Sequence, residues 1–341
     1  MRAEVIPYRL PLKRPWVAAR ATLTERQGAL LHLIDADGLE GWGDCAPLPS
    51  RSDPHAPLAA LAAWAGRPAS ADFHTLPSEA RWAIETAQAD LAAQRAGLPL
   101  WRYLGGTRGE VEVNAALGPL DDDLPERLAR AAAKGFRIGK IKVGVAPVEE
   151  EIARLKALDT PFRLRLDANR AWPADAARHF LLAMRDLPIE AVEEPLAAPT
   201  PDSLAALQQM LPFALALDES LPALGLEAVI AGRAARRLVL KPARLGGIAA
   251  TAALARAAQA AGLEIVLTTV VDSALGVAAT AQLAAALAPD LAHGLATSSW
   301  LAADVAPPLP VDSGRLALPD LPGLGLRPAA APCVSVPHLA R

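Results

Sequence analysis

The sequence predicts an α/β protein: a (β/α) barrel preceded by a small N-terminal α+β domain. Three observations predict it. Short β-rich runs alternate with helical patterns through the second two-thirds of the chain, as parallel strands joined by crossover helices require. Five consecutive runs each end on a charged residue, one βα unit apart. The first hundred residues follow a different rhythm, with alternating strands and then one long helical stretch.

In the N-terminal part, Ala29 to Ile34 alternates and breaks at Asp37-Gly38 before Gly41-Trp42-Gly43-Asp44, the pattern of a hairpin. From Pro77, SEARWAIETAQADLAAQRAG has apolar residues at helical spacing and ends on a glycine. The runs that follow are VEVNAAL, IGKIKVGV, FRLRLDAN, IEAVEEPL, FALALDES, RLVLKPA and EIVLTTVV, with an eighth strand expected near His293-Gly294. A doubly wound sheet is the alternative, but it normally carries a Gly-rich phosphate loop after its first strand, and none is present. From about Pro307 the chain is rich in Pro, Gly and Leu and is expected to leave the barrel and return to the N-terminal domain. The division is therefore residues 1–108 joined by 307–341, and 109–306 for the barrel with the site.

A net charge of −3, 52% hydrophobic and 21% charged residues describe a chain able to bury a large core. With a pI near 6.1, no general basic surface invites nucleic acid. Two distant cysteines, Cys45 and Cys333, fit neither a zinc cluster nor a disulfide framework. No apolar stretch is long enough for a membrane span or shaped like a leader, so a cytoplasmic protein is expected.

The charges that close the runs are Lys142, Asp167, Glu193, Asp218 and Lys241, separated by 25, 26, 25 and 23 residues. Consecutive strands thus deliver one charged side chain apiece to the C-terminal rim, where barrel active sites lie. Strand parity puts Arg165 with Asp167, Ala214 and Ala216 with Asp218, Val239 with Lys241, and Lys140 with Lys142 on the inward face. Three converging carboxylates repel one another unless a cation joins them, and all-oxygen ligation favours Mg²⁺, with Mn²⁺ as a substitute. The alternative is ordinary rim charge paired with neighbouring Lys and Arg. Ammonium groups near a divalent cation lose a proton more readily and can serve as bases. A base, a metal and a substrate carboxylate together suit removal of the weakly acidic proton α to that carboxylate, which leaves an enediolate.

At these residues the sequence resembles the enolase superfamily, in its muconate-lactonizing subgroup. The motifs are KIKVG (Lys140-Ile141-Lys142), LDANRAW, VEEPL, LDESL and LKPARLGG, in family order. The resemblance implies a modified barrel of the (β/α)7β type with an N-terminal α+β capping domain. It implies metal ligands Asp167, Glu193 and Asp218, and catalytic Lys142 and Lys241 on opposite faces of the substrate. Glu194 and Glu219 are expected to support the ligands; Asn169 could do the same or be a plain turn amide. Lys140, Arg165, Thr268 and Thr269 are the candidate substrate contacts, although Arg165 could equally pair with a buried acid. Within the subgroup the sequence is most similar to o-succinylbenzoate synthases, through GWGDCAPLP, LRLDANRAW and TTVVDSALGVAATAQLAAAL. That implies a Mg²⁺-dependent dehydratase, a carbon–oxygen lyase of menaquinone biosynthesis acting on a small-molecule carboxylate. N-acylamino acid racemase or dipeptide epimerase is the alternative, and a non-catalytic relative the third. Epimerases of dipeptides usually carry Asp-x-Asp on the last strand, where this chain reads GLATSSW. A His–Asp racemase is disfavoured because the strand-seven segment has no His. Arg51 and Ser52 could close over the substrate, no tryptophan is assigned to it, and a homo-oligomer is left open.

Overall fold

The computed structural model describes residues 1–18, 21–47, 53–68 and 72–329. Arg51, Ser52 and Cys333 lie outside the described residues. Strands Arg2–Ala18, Ala21–Ile34 and Glu40–Cys45 form an antiparallel sheet in sequence order. The predicted turn closes through the Asp35 carboxylate, whose Oδ1 accepts from the amides of Asp37 at 2.8 Å and Leu39 at 2.9 Å. Gly38 supplies the left-handed φ of +80° that this turn needs. The helix Ser78–Arg95 lies directly on the third strand. It comes so close because Gly41 and Gly43 have no side chain: a Cβ there would overlap the carbonyl oxygens of Ala87 and Ala83.

Seven parallel strands follow: Ala115–Pro119, Ile138–Lys142, Arg163–Asp167, Ile189–Glu193, Ala214–Leu217, Arg237–Leu240 and Glu264–Leu267. They pair in sequence order. Residues 293–294 close the circle, bridging in parallel to Val113 on one side and Thr268 on the other. This is the capped, modified (β/α) barrel the sequence predicted. Side-chain parity holds as well. Leu164, Leu166, Leu215, Leu217, Leu238 and Leu240 join the large core shared with the helices, while Ala191, Ala214, Ala216 and Val239 pack together in a separate cluster. Burying each of those leucines contributes about 1.5–3 kcal/mol.

The barrel's last long helix, Ala274–Leu287, is buried along most of its length, because it packs beneath both the N-terminal sheet and the helix Leu100–Tyr103. After the barrel, Val311–Asp312 and Arg315–Ala317 form a hairpin that pairs with Glu110–Glu112. The chain then crosses to the helix Ser78–Arg95, where the Leu324 amide donates to Asp90 at 2.7 Å. Among the described residues no helix is long and apolar enough to cross a membrane.

Candidate active site

Strand register brings the strand-end charges together. Lys142 pairs with Asp167, and Asp167 with Glu193, so three neighbouring strands end level with one another. The Lys140 ammonium bridges Asp167 at 2.9 Å and Glu193 at 2.6 Å. Lys142 lies 2.7 Å from Asp167 and donates to the Asn169 side-chain oxygen. Across the rim Lys241 is bonded to Asp218, with Arg244 at 3.7 Å from the same carboxylate. The acids are sunk, with side-chain exposures of 2% for Asp167, 8% for Glu193 and 5% for Asp218, while the three lysines stand 16–23% exposed. The lysines are thus less covered than the carboxylates, and both line the cleft.

Burial disfavours the charge on Asp167, but Lys140 and Lys142 outweigh it and hold this carboxyl below the usual range. Burial likewise opposes the Lys140 charge, and Asp167 and Glu193 more than compensate, holding it protonated. Glu193 is pushed up to about 7 by burial and by Asp167; Glu219 reaches about 7 through burial and Asp218. Glu194 turns away from the cleft. It accepts from the amides of Asp218 at 2.7 Å and Ser220 at 2.8 Å, and so fixes the end of the fifth strand. Asn169 donates weakly to Glu219 at 3.4 Å.

Among the described residues no three Asp, Glu, His or Cys side chains stand close enough to share one ion, because the acids are drawn onto the lysines. The donor set nevertheless fits a hard divalent cation. Asp167, Glu193 and Asp218, which would hold it, offer only oxygen, stand at successive strand ends, and a cationic nitrogen already bridges two of them. Added positive charge would also relieve the repulsion felt by Glu193.

Above the charges opens a cleft of about 750 Å³. Lys140, Lys142, Asp167, Asn169, Glu193, Asp218, Glu219, Lys241, Thr268 and Thr269 line it. The Thr268 hydroxyl donates to the Gly294 carbonyl at 3.0 Å, and that of Thr269 lies 3.2 Å from Thr297, so both tie the wall to the closing strand. Arg165 is a correction: it does not line the cleft as a substrate contact. It lies one layer deeper, ion-paired with Glu190 at 2.9 Å and donating to the Ala292 carbonyl at 2.8 Å. Arg237 reaches the same Glu190 from the other side at 2.7 Å. His293 is structural. Its Nδ1 accepts from the Leu267 amide at 3.0 Å, its Nε2 faces the Ala288 carbonyl at 2.9 Å, and burial lowers its pKa to about 4.

Sequence reasoning missed the residues that join the domains. Asp44 accepts from Tyr8 Oη and Ser273 Oγ, both at 2.7 Å, and Gly276 leaves room for its carboxylate. Arg26 donates to the Pro47 carbonyl at 2.7 Å and to Asp272 at 3.2 Å. Burial and the Asp272 charge raise the Asp44 pKa from 3.8 to about 7. A folded-state value above the unfolded one means that this contribution to stability is full below about pH 4 and lost as pH rises through about 7. Asp44→Asn keeps an acceptor for Tyr8 and offers a donor to Ser273. Thermal melts should show the variant gaining on the unmodified protein by about 1–3 kcal/mol between pH 5 and 8. A difference that does not change with pH would contradict this account.

Comparison with known proteins agrees with this geometry. Residues 123–331 match the family described as Enolase C-terminal domain-like. Muconate cycloisomerase 1-2 of Acinetobacter lwoffii is 30% identical over 312 residues, spanning 82% of this chain and 79% of its own. The o-succinylbenzoate synthase of Enterobacter sp. (strain 638) is 32% identical over 293 residues, 82% of this chain and 85% of its own. A solved substrate-liganded complex of the L-Ala-D/L-Glu epimerase from Bacillus subtilis has a TM-score of 0.84 at 26% identity, covering 97% of this chain and 99% of that one. With its strand-end motifs, barrel and cap all in place, the chain belongs to the enolase superfamily, in its muconate-lactonizing subgroup.

Proposed function

We propose that this enzyme eliminates water from a cyclohexadiene carboxylate to form o-succinylbenzoate, with Mg²⁺ as its metal. The observation that carries the reading is the placement of Lys142 at the end of the second strand and Lys241 just after the sixth, with the carboxylates between them. Such a pair can put a base on one face of a bound ring and a positive charge over the other. Lys142, once deprotonated, takes the α-proton; the C–H electrons form the new double bond as the C–O bond breaks. The Lys142 ammonium then returns that proton to the leaving hydroxyl, and water departs. The Lys241 ammonium offsets negative charge from the opposite face. Mg²⁺, held by Asp167, Glu193 and Asp218, would supply charge stabilisation at the substrate carboxylate.

A specific observation favours a second reading, racemisation of an N-acylamino acid. Lys142 and Lys241 both line the cleft, so each, once released from its carboxylate, could exchange a proton on its own face. Dipeptide epimerisation is less well supported, because the closing segment 294–300 has no acid to hold a substrate ammonium. With Mg²⁺, the purified protein should convert the diene to the aromatic product, seen as loss of diene absorbance. The deciding quantity is kcat/KM for dehydration against kcat/KM for racemisation of an N-succinylamino acid. Negligible dehydration beside efficient racemisation would transfer the assignment to the second reading.

A further inference from the structure

We propose that Arg14 of the N-terminal domain is the residue that reads the remote negative group of the substrate, the carboxylate on its short arm. This deepens the function proposed above and rests on it. Four arginines line the cleft, and three are engaged. Arg127 is paired with Asp121 at 2.6 Å, Arg170 donates to the Ala197 carbonyl at 2.7 Å, and Arg244 leans on Asp218 at 3.7 Å. Arg14, among the described residues, makes no ion pair and no hydrogen bond to a carbonyl, although Asp121 and Asp123 act on it from a distance; its guanidinium lies 4.2 Å over the Trp300 ring.

The wall around it is built. Trp16 meets Trp300 edge-on at 4.6 Å, and both rings line the cleft. The strand that carries Arg14 is pinned to the barrel at the three residues just before it. Leu12 bridges Leu301, Pro11 accepts from the Ala302 amide at 2.8 Å, and Lys13 donates to the Ser299 carbonyl at 3.0 Å. A guanidinium seated over an indole can still offer N–H groups to a carboxylate through two parallel hydrogen bonds. Asp121 and Asp123 also lie at this mouth, but Asp121 is already committed to Arg127. Burial and the positive charges of Arg127 and Arg130 lower the Arg14 pKa, against the opposing pull of Asp121 and Asp123. Lysines at the inner end and an arginine at the mouth thus bracket a molecule charged at both ends, with the two tryptophans along its apolar middle.

The test compares o-succinylbenzoate with its side-chain methyl ester, both titrated calorimetrically into the Mg²⁺-loaded protein. The reacting end is identical, and only the remote charge differs. The unmodified protein should bind the acid about 10–100-fold more tightly than the ester. Arg14→Met should erase most of that ratio while changing ester binding far less, and Arg14→Lys should restore part of it. In turnover, the loss should appear mainly in KM and be larger for an N-succinylamino acid than for the N-acetyl form of the same amino acid. Equal binding of acid and ester, no measurable binding of either, or equal losses on both in Arg14→Met would overturn the proposal. A ratio that Arg14→Met erases, in a protein that does not dehydrate the diene, would count against the proposed reaction and leave Arg14 as the reader of the remote charge.

Discussion

Exhaustive chelation is expected to lower turnover at least about 10³-fold, and Mg²⁺ to restore it. The expectation comes from the charge arrangement. Asp167, Glu193 and Asp218 are buried acids that, among the described residues, form ion pairs with the lysines and Arg244. Those same lysines must be free to reach the substrate if they are to move protons. A divalent ion that takes over the carboxylates would release them, so the metal matters to the bases as well as to the substrate carboxylate. Glu193→Gln separates the metal's role from general stability. Glu193 is pushed upward by burial and by Asp167, so a neutral amide relieves repulsion in the metal-free protein and can still accept from Lys140. The metal-free variant should melt no lower than the unmodified protein, yet bind Mg²⁺ at least about tenfold more weakly and turn over about 10²–10³-fold more slowly. Calorimetric titration of Mg²⁺ and melts in chelator check the two halves separately. Full turnover after complete removal of divalent ions would refute the assignment.

The parts of this site that were legible in the sequence are those governed by short-range geometry. A βα unit has a nearly constant length, so Lys142, Asp167, Glu193, Asp218 and Lys241 could be placed on one rim from their spacing. Strand parity then separated Ala214 and Ala216 from Leu215 and Leu217. Depth was not legible. Arg165 and Asp167 share a face, but two strand residues separate them by roughly 6.6 Å, enough to place one at the rim and the other in the layer below. At that lower level Glu190 and Arg237 complete a buried ion network, so Arg165 has its partner before any substrate arrives. Contacts between the two domains were also hidden. Arg26 and Asp272 lie 246 positions apart, and no periodicity links Trp16 to Trp300. Arg244 did carry a signal that went unused: it follows Lys241 by three residues in a helical turn, which places both on the same side of the rim.

The sharpest separation of the two candidate reactions comes from the lysines. Lys142→Ala should reduce both dehydration and racemisation by at least about 10³-fold, because each needs that base. Lys241→Arg should split them. Arginine keeps a positive charge opposite Lys142 but does not surrender a proton near neutral pH, so it cannot take one from the second face. Dehydration needs only the charge there and should fall about tenfold or less, a loss set by the bulkier fork beside Arg244 and Asp218. Racemisation needs a proton transfer on each face and should fall about 10²–10⁴-fold. Exchange of the α-hydrogen in D₂O adds a third readout. With an N-succinylamino acid whose α-hydrogen faces Lys142, Lys241→Arg should still wash in deuterium while optical rotation is retained, since Lys142 can remove and return a proton on its own face. The mirror-image substrate, whose α-hydrogen faces position 241, should show no exchange. Loss of exchange for both enantiomers would mean that Lys241 acts by positioning the substrate or setting the local charge, and equal losses in dehydration and racemisation would lead to the same conclusion.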